Sequence, residues 1–242
     1  MTREVRPEPD EFLTHVGESL ALRYGGALLG LSGAADGTAW ALRHPPSFPS
    51  GVFLVTDRAL LDAPTAMLRI PDGARTTTDP DGADRPGGRL AEQMLVARPA
   101  RQLALPVPPV DGAPHARRVA VCPLSSGDMA GYALGKGYRW TPPALVVETP
   151  DGLEPWRRGL CFVLGRTGDG VEPHLAYATR DGDGVRLGAP APASLAGAPV
   201  LAFRRLDDRR RTVEVVGMLA AAEPYSEVIP AHDVVTAVER SA

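Results

Sequence analysis

The chain is patterned as short apolar runs divided by turn residues. From residue 27 to about residue 200 the apolar runs are brief, and Gly, Pro and Asp separate them. Many short strands at this spacing are typical of a β-barrel or a β-sandwich. The pattern therefore predicts an all-β fold. Several breaks carry Asp-Gly, in which glycine supplies the positive φ of a tight turn, at residues 72–73, 81–82, 111–112, 151–152 and 181–184.

Helical periodicity replaces this pattern near both ends of the chain. Residues 9–20 predict a short amphipathic helix, because Leu13, Val16 and Leu20 recur at the spacing of one helix face. Residues 231–240 predict a closing helix. The positions expected to face inward there are Val234, Val235 and Val238.

The composition is that of an ordinary soluble globular protein, with 44% hydrophobic and 23% charged residues. A net charge of −3 implies no basic face for nucleic acid. No apolar run approaches the length of a membrane span, and the opening residues carry charge and proline in place of a secretion signal. We therefore expect a cytoplasmic protein that binds neither nucleic acid nor membrane.

Cysteines and histidines are the candidate metal or redox groups. Cys122 and Cys161 each lie in an apolar strand pattern, which favours burial as small hydrophobic residues over a disulfide or a reactive thiol. The histidines are scattered and lack the spacing of metal ligands. We therefore expect no metal and no cofactor.

One loop has the pattern of a catalytic site without its nucleophile. Residues 194–200 read SLAGAPV, and this loop resembles the Gly-x-Ser-Gly-x-Pro loop of trypsin-like serine peptidases. Gly197 and Pro199 match the pattern, whereas Ala196 stands at the serine and Ser194 at the first glycine. An alanine methyl cannot attack a carbonyl. The resemblance implies the fold of these peptidases with the nucleophile missing.

Two further segments are similar to the bacterial branch of the same family. Residues 37–42 and 52–61 resemble the first-barrel pattern, a Gly-Thr/Ser-Gly-Phe strand followed by a strand ending Val-Thr-Asn-Arg-His. Ala59 stands at the histidine of that pattern. The family's strand that opens with aspartate matches either the strand after Arg118 or the one that begins at Gln102. Neither residue is acidic, so all three triad positions are vacant on either alignment.

The resemblance implies two antiparallel β-barrels of the chymotrypsin type with a short helix at each end. We expect one domain with a first barrel at residues 22–108, a second at residues 109–230 and a C-terminal helix at residues 231–242. A proline-rich turn near residues 106–109 marks the expected junction of the barrels. The cleft between them would be lined by the segments that carry Ala59, Arg118 and Ala196.

The peptidase mechanism needs a hydroxyl nucleophile, an imidazole base and a carboxylate that orients the base. Loss of the serine or the histidine costs roughly a millionfold in rate in a related system. Ser194 also replaces the glycine whose conformational freedom shapes the oxyanion loop. We therefore expect a pseudoprotease that binds a protein or an extended peptide through a strand edge of its cleft.

Arg118 has two interpretations. Its guanidinium can form a structural ion pair with Asp57 or Asp128, which we favour, or it can anchor a carboxylate or phosphate ligand. The second interpretation suits an enzyme of a different reaction class acting on a small molecule, with Asp57, Asp128 and Ser126 as polar helpers. A small pocket favours that enzyme, and an open groove favours peptide binding. The residues expected to line the cleft are Asp57, Arg58, Arg118, Ser126, Asp128, Ser194 and Gly197.

Overall fold

The computed structural model describes residues 11–43, 52–70, 94–99, 109–123, 145–146, 158–167, 170–181, 184–205 and 211–241. Helix α1 (Glu11–Tyr24) lies near the start of this part of the chain and helix α2 (Ala231–Ser241) at its end. The strands between them are β1 (Leu28–Ser32), β2 (Asp36–Arg43), β3 (Val52–Asp57), β4 (Thr65–Ile70), β5 (Met94–Pro99), β6 (Val119–Pro123), β7 (Leu145–Val146), β8 (Arg158–Thr167), β9 (Gly170–Asp181), β10 (Gly184–Leu187), β11 (Pro199–Arg205), β12 (Arg211–Leu219) and β13 (Glu227–Pro230). The expectation of an all-β fold with a helix at each end is confirmed.

The first sheet follows the strand order β5-β4-β1-β2-β3-β6, and β7 adds to β2 in parallel. β6 pairs with β3 along its whole length, from Val119 opposite Asp57 to Pro123 opposite Phe53. The first sheet therefore extends past residue 108, where its boundary was expected. The proline-rich turn that suggested this boundary is a local signal, whereas the pairing of β3 with β6 is set by contacts between distant segments.

The second sheet closes into a six-stranded barrel in the order β10-β13-β12-β11-β8-β9. The two sheets have the same strand order when β7 is left out and the six strands of each sheet are numbered 1 to 6 along the chain. Read around each sheet, that order is 1-2-3-6-5-4. The first sheet differs because β5 and β6 are not paired within the described residues. The molecule thus has the same antiparallel topology twice. The second sheet is a closed barrel, and the first is an open sheet with β5 and β6 as its end strands.

One apolar core joins the two sheets. Trp40 of β2, Leu164 of β8 and Met218 of β12 are fully buried in the same cluster. Val234 and Val238 of α2 pack into that cluster as well. Because the side chains of this core come from both sheets, the two sheets pack against each other as one unit. A site built from both sheets would lie at their junction.

The terminal helices bury the faces that their periodicity predicts. In α1, Leu20 is buried and Leu13 and Val16 are partly buried, and the helix packs against β9. In α2, Val234, Val235 and Val238 are all buried. Within the part of the chain that the structure describes, neither helix is both long enough and apolar enough to cross a bilayer.

The two cysteines are free thiols in different surroundings. Cys161 of β8 is fully buried, with its Sγ 3.5 Å from the carbonyl oxygen of Ala176. Burial raises the pKa of Cys161 to about 12. Cys122 of β6 is only partly buried. The prediction that both cysteines are buried as small hydrophobic residues is therefore confirmed for Cys161, whereas Cys122 is buried only in part.

We predict that the two thiols react at very different rates. At pH 8, a thiol with a pKa near 12 is about one part in ten thousand thiolate, and the thiolate is the reactive form. Alkylation of the native protein with iodoacetamide should therefore modify Cys122 and leave Cys161 intact until urea unfolds the chain, as peptide mass spectrometry would show. The Cys122→Ser variant is the control and should react only when unfolded. Native modification of Cys161 at the rate of Cys122 would contradict the buried placement.

Candidate functional site

The loop that resembles a nucleophile loop places its Ala196 in the apolar core. Residues Ala193–Leu195 form a 3₁₀ turn, and Ala196 follows it with only 1% of its surface exposed. Its methyl group packs in a cluster that contains Leu54 of β3 and Leu60. The side chain at this position therefore lies in the interior of the protein, away from solvent.

The backbone of the same loop is bonded within the protein. The amide of Ala196 donates to the carbonyl oxygen of Ala193 at 3.0 Å, and the amide of Leu195 donates to that of Pro192 at 3.0 Å. The carbonyl oxygen of Ala196 accepts from the amide of Thr38 at 2.8 Å. An oxyanion hole needs amide groups that point at the reacting carbonyl of a substrate. Here the Ala196 amide already has an internal acceptor.

Gly197 allows the loop to approach the first sheet closely. Its φ is +77°, a left-handed conformation that favours glycine. A Cβ at this position would lie 2.4 Å from the carbonyl oxygen of Thr38, 2.5 Å from Oγ1 of Thr56 and 2.9 Å from Leu60 Cδ1. The Gly197 amide donates to the carbonyl oxygen of Leu219 at 2.8 Å. The loop is thus held between the two sheets with no room for a side chain.

Thr38 of β2 forms hydrogen bonds through three of its polar groups, and two of these bonds connect the first sheet to the second half of the protein. Its amide donates to Ala196, as described above, and its carbonyl oxygen accepts from Oγ1 of Thr56 at 2.8 Å. Its own Oγ1 accepts from the amide of Arg166 in β8 at 2.9 Å. The side chain of Thr38 is fully buried. The sequence pattern placed Thr38 in a strand but gave no sign of this connecting role.

Asp57 supplies a buried carboxylate at the same junction. It ends β3 with 1% exposure and caps the 3₁₀ turn Arg58–Leu61. Its Oδ1 accepts from the amide of Ala59 at 2.9 Å, and its Oδ2 accepts from the amide of Ala221 at 2.8 Å. Ala221 follows β12 of the second barrel, so this carboxylate bonds across the junction of the sheets.

Arg118 is paired with two carboxylates. Its Nη1 donates to Oε1 of Glu227 at 2.8 Å, and its Nη2 lies 3.6 Å from Oδ2 of Asp57. The structural ion pair expected with Asp57 is therefore confirmed, and Glu227 is a stronger partner that the sequence did not reveal. With two acids beside it, this guanidinium is poorly suited to anchor an anionic ligand. This pairing argues against the alternative in which an enzyme uses Arg118 to anchor a carboxylate or phosphate ligand.

The remaining candidate residues fall into two groups. Arg58 is bonded to the first sheet, because its Nε donates to the carbonyl oxygen of Arg117 at 3.1 Å. Ala59 is exposed beside it. Ser126, Asp128 and Gln102 lie outside the described residues. The structure thus places Asp57, Ala59, Arg118, Ala196 and Gly197 near one junction, where their polar groups are engaged in contacts within the protein.

Among the residues that the structure describes, histidines and metal-binding groups form no reactive set at this junction. Within the described ranges, no cluster of three or more His, Cys, Asp or Glu side chains can hold a metal ion. His115 lies nearest to the ion pairs, with Nδ1 3.9 Å from Oε1 of Glu227. His174 of β9 has its pKa lowered by burial, an effect that the charge of Glu172 partly opposes.

One side of the Ala196 loop is closed by direct backbone bonds. The amide of Ala191, which precedes the 3₁₀ turn, donates to the carbonyl oxygen of Tyr225 at 3.0 Å. The amide of Leu187 donates to that of Ser226 at 2.7 Å, and the amide of Tyr225 donates to that of Ala222 at 2.7 Å. The segment after β12 is thus a tight turn joined to its neighbours. Its described residues present no extended edge for a peptide.

The opposite side of the loop is open. A pocket of about 90 Å³ lies there, with walls from β1, β2, β4, β8 and the 3₁₀ turn. Six of its nine lining residues have charged or hydroxyl-bearing side chains, and the sequence analysis named only one of these six, Ser194, as a candidate site residue. The residues that line it are Gly30, Leu31, Ser32, Asp36, Gly37, Arg69, Arg166, Thr167 and Ser194.

Among solved structures, the chain is similar to two serine proteases. One is the serine protease of a human pathogenic astrovirus, with 12% identity over 86% of this chain and 92% of that one and a TM-score of 0.45. The other is the Rv3671c protease in an inactive form, with 14% identity over 98% of both chains and a TM-score of 0.46. No protein-family model and no curated protein matches the chain. Its activity is therefore inferred from its own residues.

We predict that Gly197→Ala strongly destabilises the protein. Gly112 is the matched control, because it has the same φ of +77° but nothing within 4 Å of an added Cβ. Gly112→Ala should lower the free energy of unfolding by about 1 to 2 kcal/mol, the cost of left-handed backbone. Gly197→Ala should lose roughly 1 to 3 kcal/mol more, because the new methyl also overpacks the junction. Urea denaturation of both variants measures the difference, and equal losses would contradict the close approach.

We predict that Asp57→Asn destabilises the junction without changing its volume. An asparagine keeps one oxygen but turns an amide group towards one of the two N–H donors that the carboxylate accepts. The free energy of unfolding should fall by about 1 to 3 kcal/mol, the cost of a buried group left without a partner. Asp36→Asn is the control at an exposed site, where a change within about 0.5 kcal/mol is expected. Urea denaturation that shows equal, small effects would count against the role given to Asp57.

Proposed function

We propose that this chain is a catalytically silent protein on a trypsin-like scaffold that acts by binding a protein or an extended peptide at the junction of its two sheets. The observation that carries this proposal is the state of the Ala196 position. A methyl group occupies it, is buried in the core, and has its own amide bonded to Ala193. Both the nucleophile and one oxyanion donor are thereby removed.

The other two triad positions support the same proposal. Ala59 has no basic group, and the guanidinium of Arg118 has five N–H donors and no acceptor atom. Peptidase chemistry needs a base that accepts the nucleophile's proton and returns it to the leaving group. Neither residue can do this. The buried carboxylate of Asp57 is already occupied by two amide donors.

The size of the pocket favours binding over small-molecule catalysis. Pockets that hold whole metabolites have volumes of about 300 to 1,000 Å³. The pocket beside Ser194 has about 90 Å³, which fits one functional group of a larger ligand. A protein or peptide that places one side chain or one chain terminus there suits the geometry. The cytoplasmic location stays a prediction, and two free thiols in one chain suit a reducing compartment.

We predict no reaction with a fluorophosphonate probe of serine hydrolases. The wild-type protein and the Ala196→Ser variant should both stay unlabelled, because the position is buried and its amide is bonded internally. Trypsin added to the same sample is the positive control and should be labelled. Time-dependent labelling of the wild-type protein, located by peptide mass spectrometry, would overturn the inactive assignment.

Selection of displayed random peptides on the immobilised full chain tests the binding role. Selected peptides should bind the wild-type protein but lose binding to Ser194→Trp, because the indole would fill the mouth of the pocket. Leu22→Trp is the control, since Leu22 is 87% exposed on helix α1, and it should bind as the wild type does. Peptides that bind all three proteins equally would place the binding site elsewhere.

A further inference from the structure

The pocket beside Ser194 contains an arginine, Arg69, whose side chain has no polar partner among the described residues. Arg69 of β4 lies opposite Gly30 of β1. A Cβ at Gly30 would lie 3.3 Å from Arg69 Cβ and 3.5 Å from its Cδ. Because Gly30 has no side chain, the aliphatic stem of Arg69 lies across β1 towards the pocket that both residues line. The Arg69 side chain forms no hydrogen bond and no ion pair with any described residue, so its guanidinium is available to a ligand.

A second arginine forms the opposite wall. Arg166 of β8 has only 7% of its surface exposed. Its backbone is fixed by the bond from its amide to Thr38 Oγ1. Arg69 belongs to the first sheet and Arg166 to the second, so the pocket has cations on both sides of the junction. Arg166 already has an interaction within the protein, so Arg69 is the guanidinium of this pocket that is left for a ligand.

The other polar groups of the pocket set its charge and its donors. Ser32 Oγ donates to Oδ1 of Asp36, and Thr167 Oγ1 donates to Oε2 of Glu172. The hydroxyl of Ser194 forms no hydrogen bond with any residue that the structure describes, so it can donate to a ligand. Two guanidinium groups and the single carboxylate of Asp36 leave one net positive charge in the lining.

We propose that this pocket binds a single carboxylate group of a ligand, with Arg69 as its ionic partner and Ser194 as a hydrogen-bond donor. A guanidinium binds a carboxylate with two parallel hydrogen bonds. One net positive charge matches a carboxylate better than a phosphate dianion, and the volume of about 90 Å³ admits one such group. The carboxylate can be the C-terminus of a peptide or an acidic side chain. This assignment rests on the proposed binding function for its biological use, but the pocket can be tested without any peptide.

The test is an acetate titration of the ¹⁵N-labelled full chain, followed by NMR at constant ionic strength kept with sodium chloride. Saturable shifts of the amides around the pocket are expected for the wild type. Arg69→Gln should weaken acetate binding at least about tenfold, the loss expected from one charge-assisted pair, and Arg69→Lys should retain part of it. Arg186→Gln is the matched control on an exposed strand position and should bind acetate as the wild type does. Spectra of Arg69→Gln unchanged outside the pocket would show that it is folded.

Three results would overturn the inference. They are no saturable shift in the wild type, equal acetate binding by Arg69→Gln, and tighter binding of inorganic phosphate than of acetate. Peptides selected on the wild-type chain then separate the sources of the carboxylate. Loss of binding on C-terminal amidation indicates the terminus, and loss on replacing Glu by Gln indicates a side chain. Acetate binding without any peptide binding would support the carboxylate site and overturn the proposed binding function. Peptide binding that the Arg69→Gln variant retains would support the binding function and overturn the role of Arg69 as the ionic partner of the ligand.

Discussion

The hydrogen bond from the amide of Thr38 to the carbonyl oxygen of Ala196 is the contact on which the centre of this molecule depends. At 2.8 Å, it brings the backbone of the first sheet against the loop that precedes β11 of the second. Only a glycine at position 197 permits that approach, since any Cβ there would overlap Thr38. The remaining groups of Thr38 bond to Thr56 and Arg166. A single strand residue thus joins the first sheet to both the loop and the barrel.

The same contacts explain why the Ala196 loop has no exposed hydroxyl and why the Ala196 amide is bonded within the protein. In a working peptidase the loop must expose a hydroxyl and leave its amides free for the substrate. Here the loop faces inward, and its amides serve the fold. Asp57 and Arg118 follow the same principle, because each is satisfied by partners from both halves of the chain. Arg69 and Ser194 lie to one side of these contacts, where they line a small cavity.

Features with local signals could be predicted from the sequence. The Asp-Gly pattern of residues 181–184 does join β9 to β10, and the valines of α2 face the core at helical spacing. The ion pair of Arg118 with Asp57 was predictable because the family resemblance brings their segments together. Its other partner, Glu227, is 109 residues away, and no local pattern marks it. The pocket was hidden for a similar reason, since the pairing of β1 with β4 places Arg69 beside residues distant in the chain.

The polar contacts of the junction also govern when the protein can finish folding. Thr38 and Arg166 are 128 residues apart in the chain, and Asp57 and Ala221 are 164 apart. Contacts between such distant segments form slowly, because closing long loops costs entropy before any contact compensates for it. A nascent chain of this protein can therefore pair the strands of its first sheet while still on the ribosome. The carboxylate of Asp57 exchanges water for the amide of Ala221 only after residues beyond 220 have emerged.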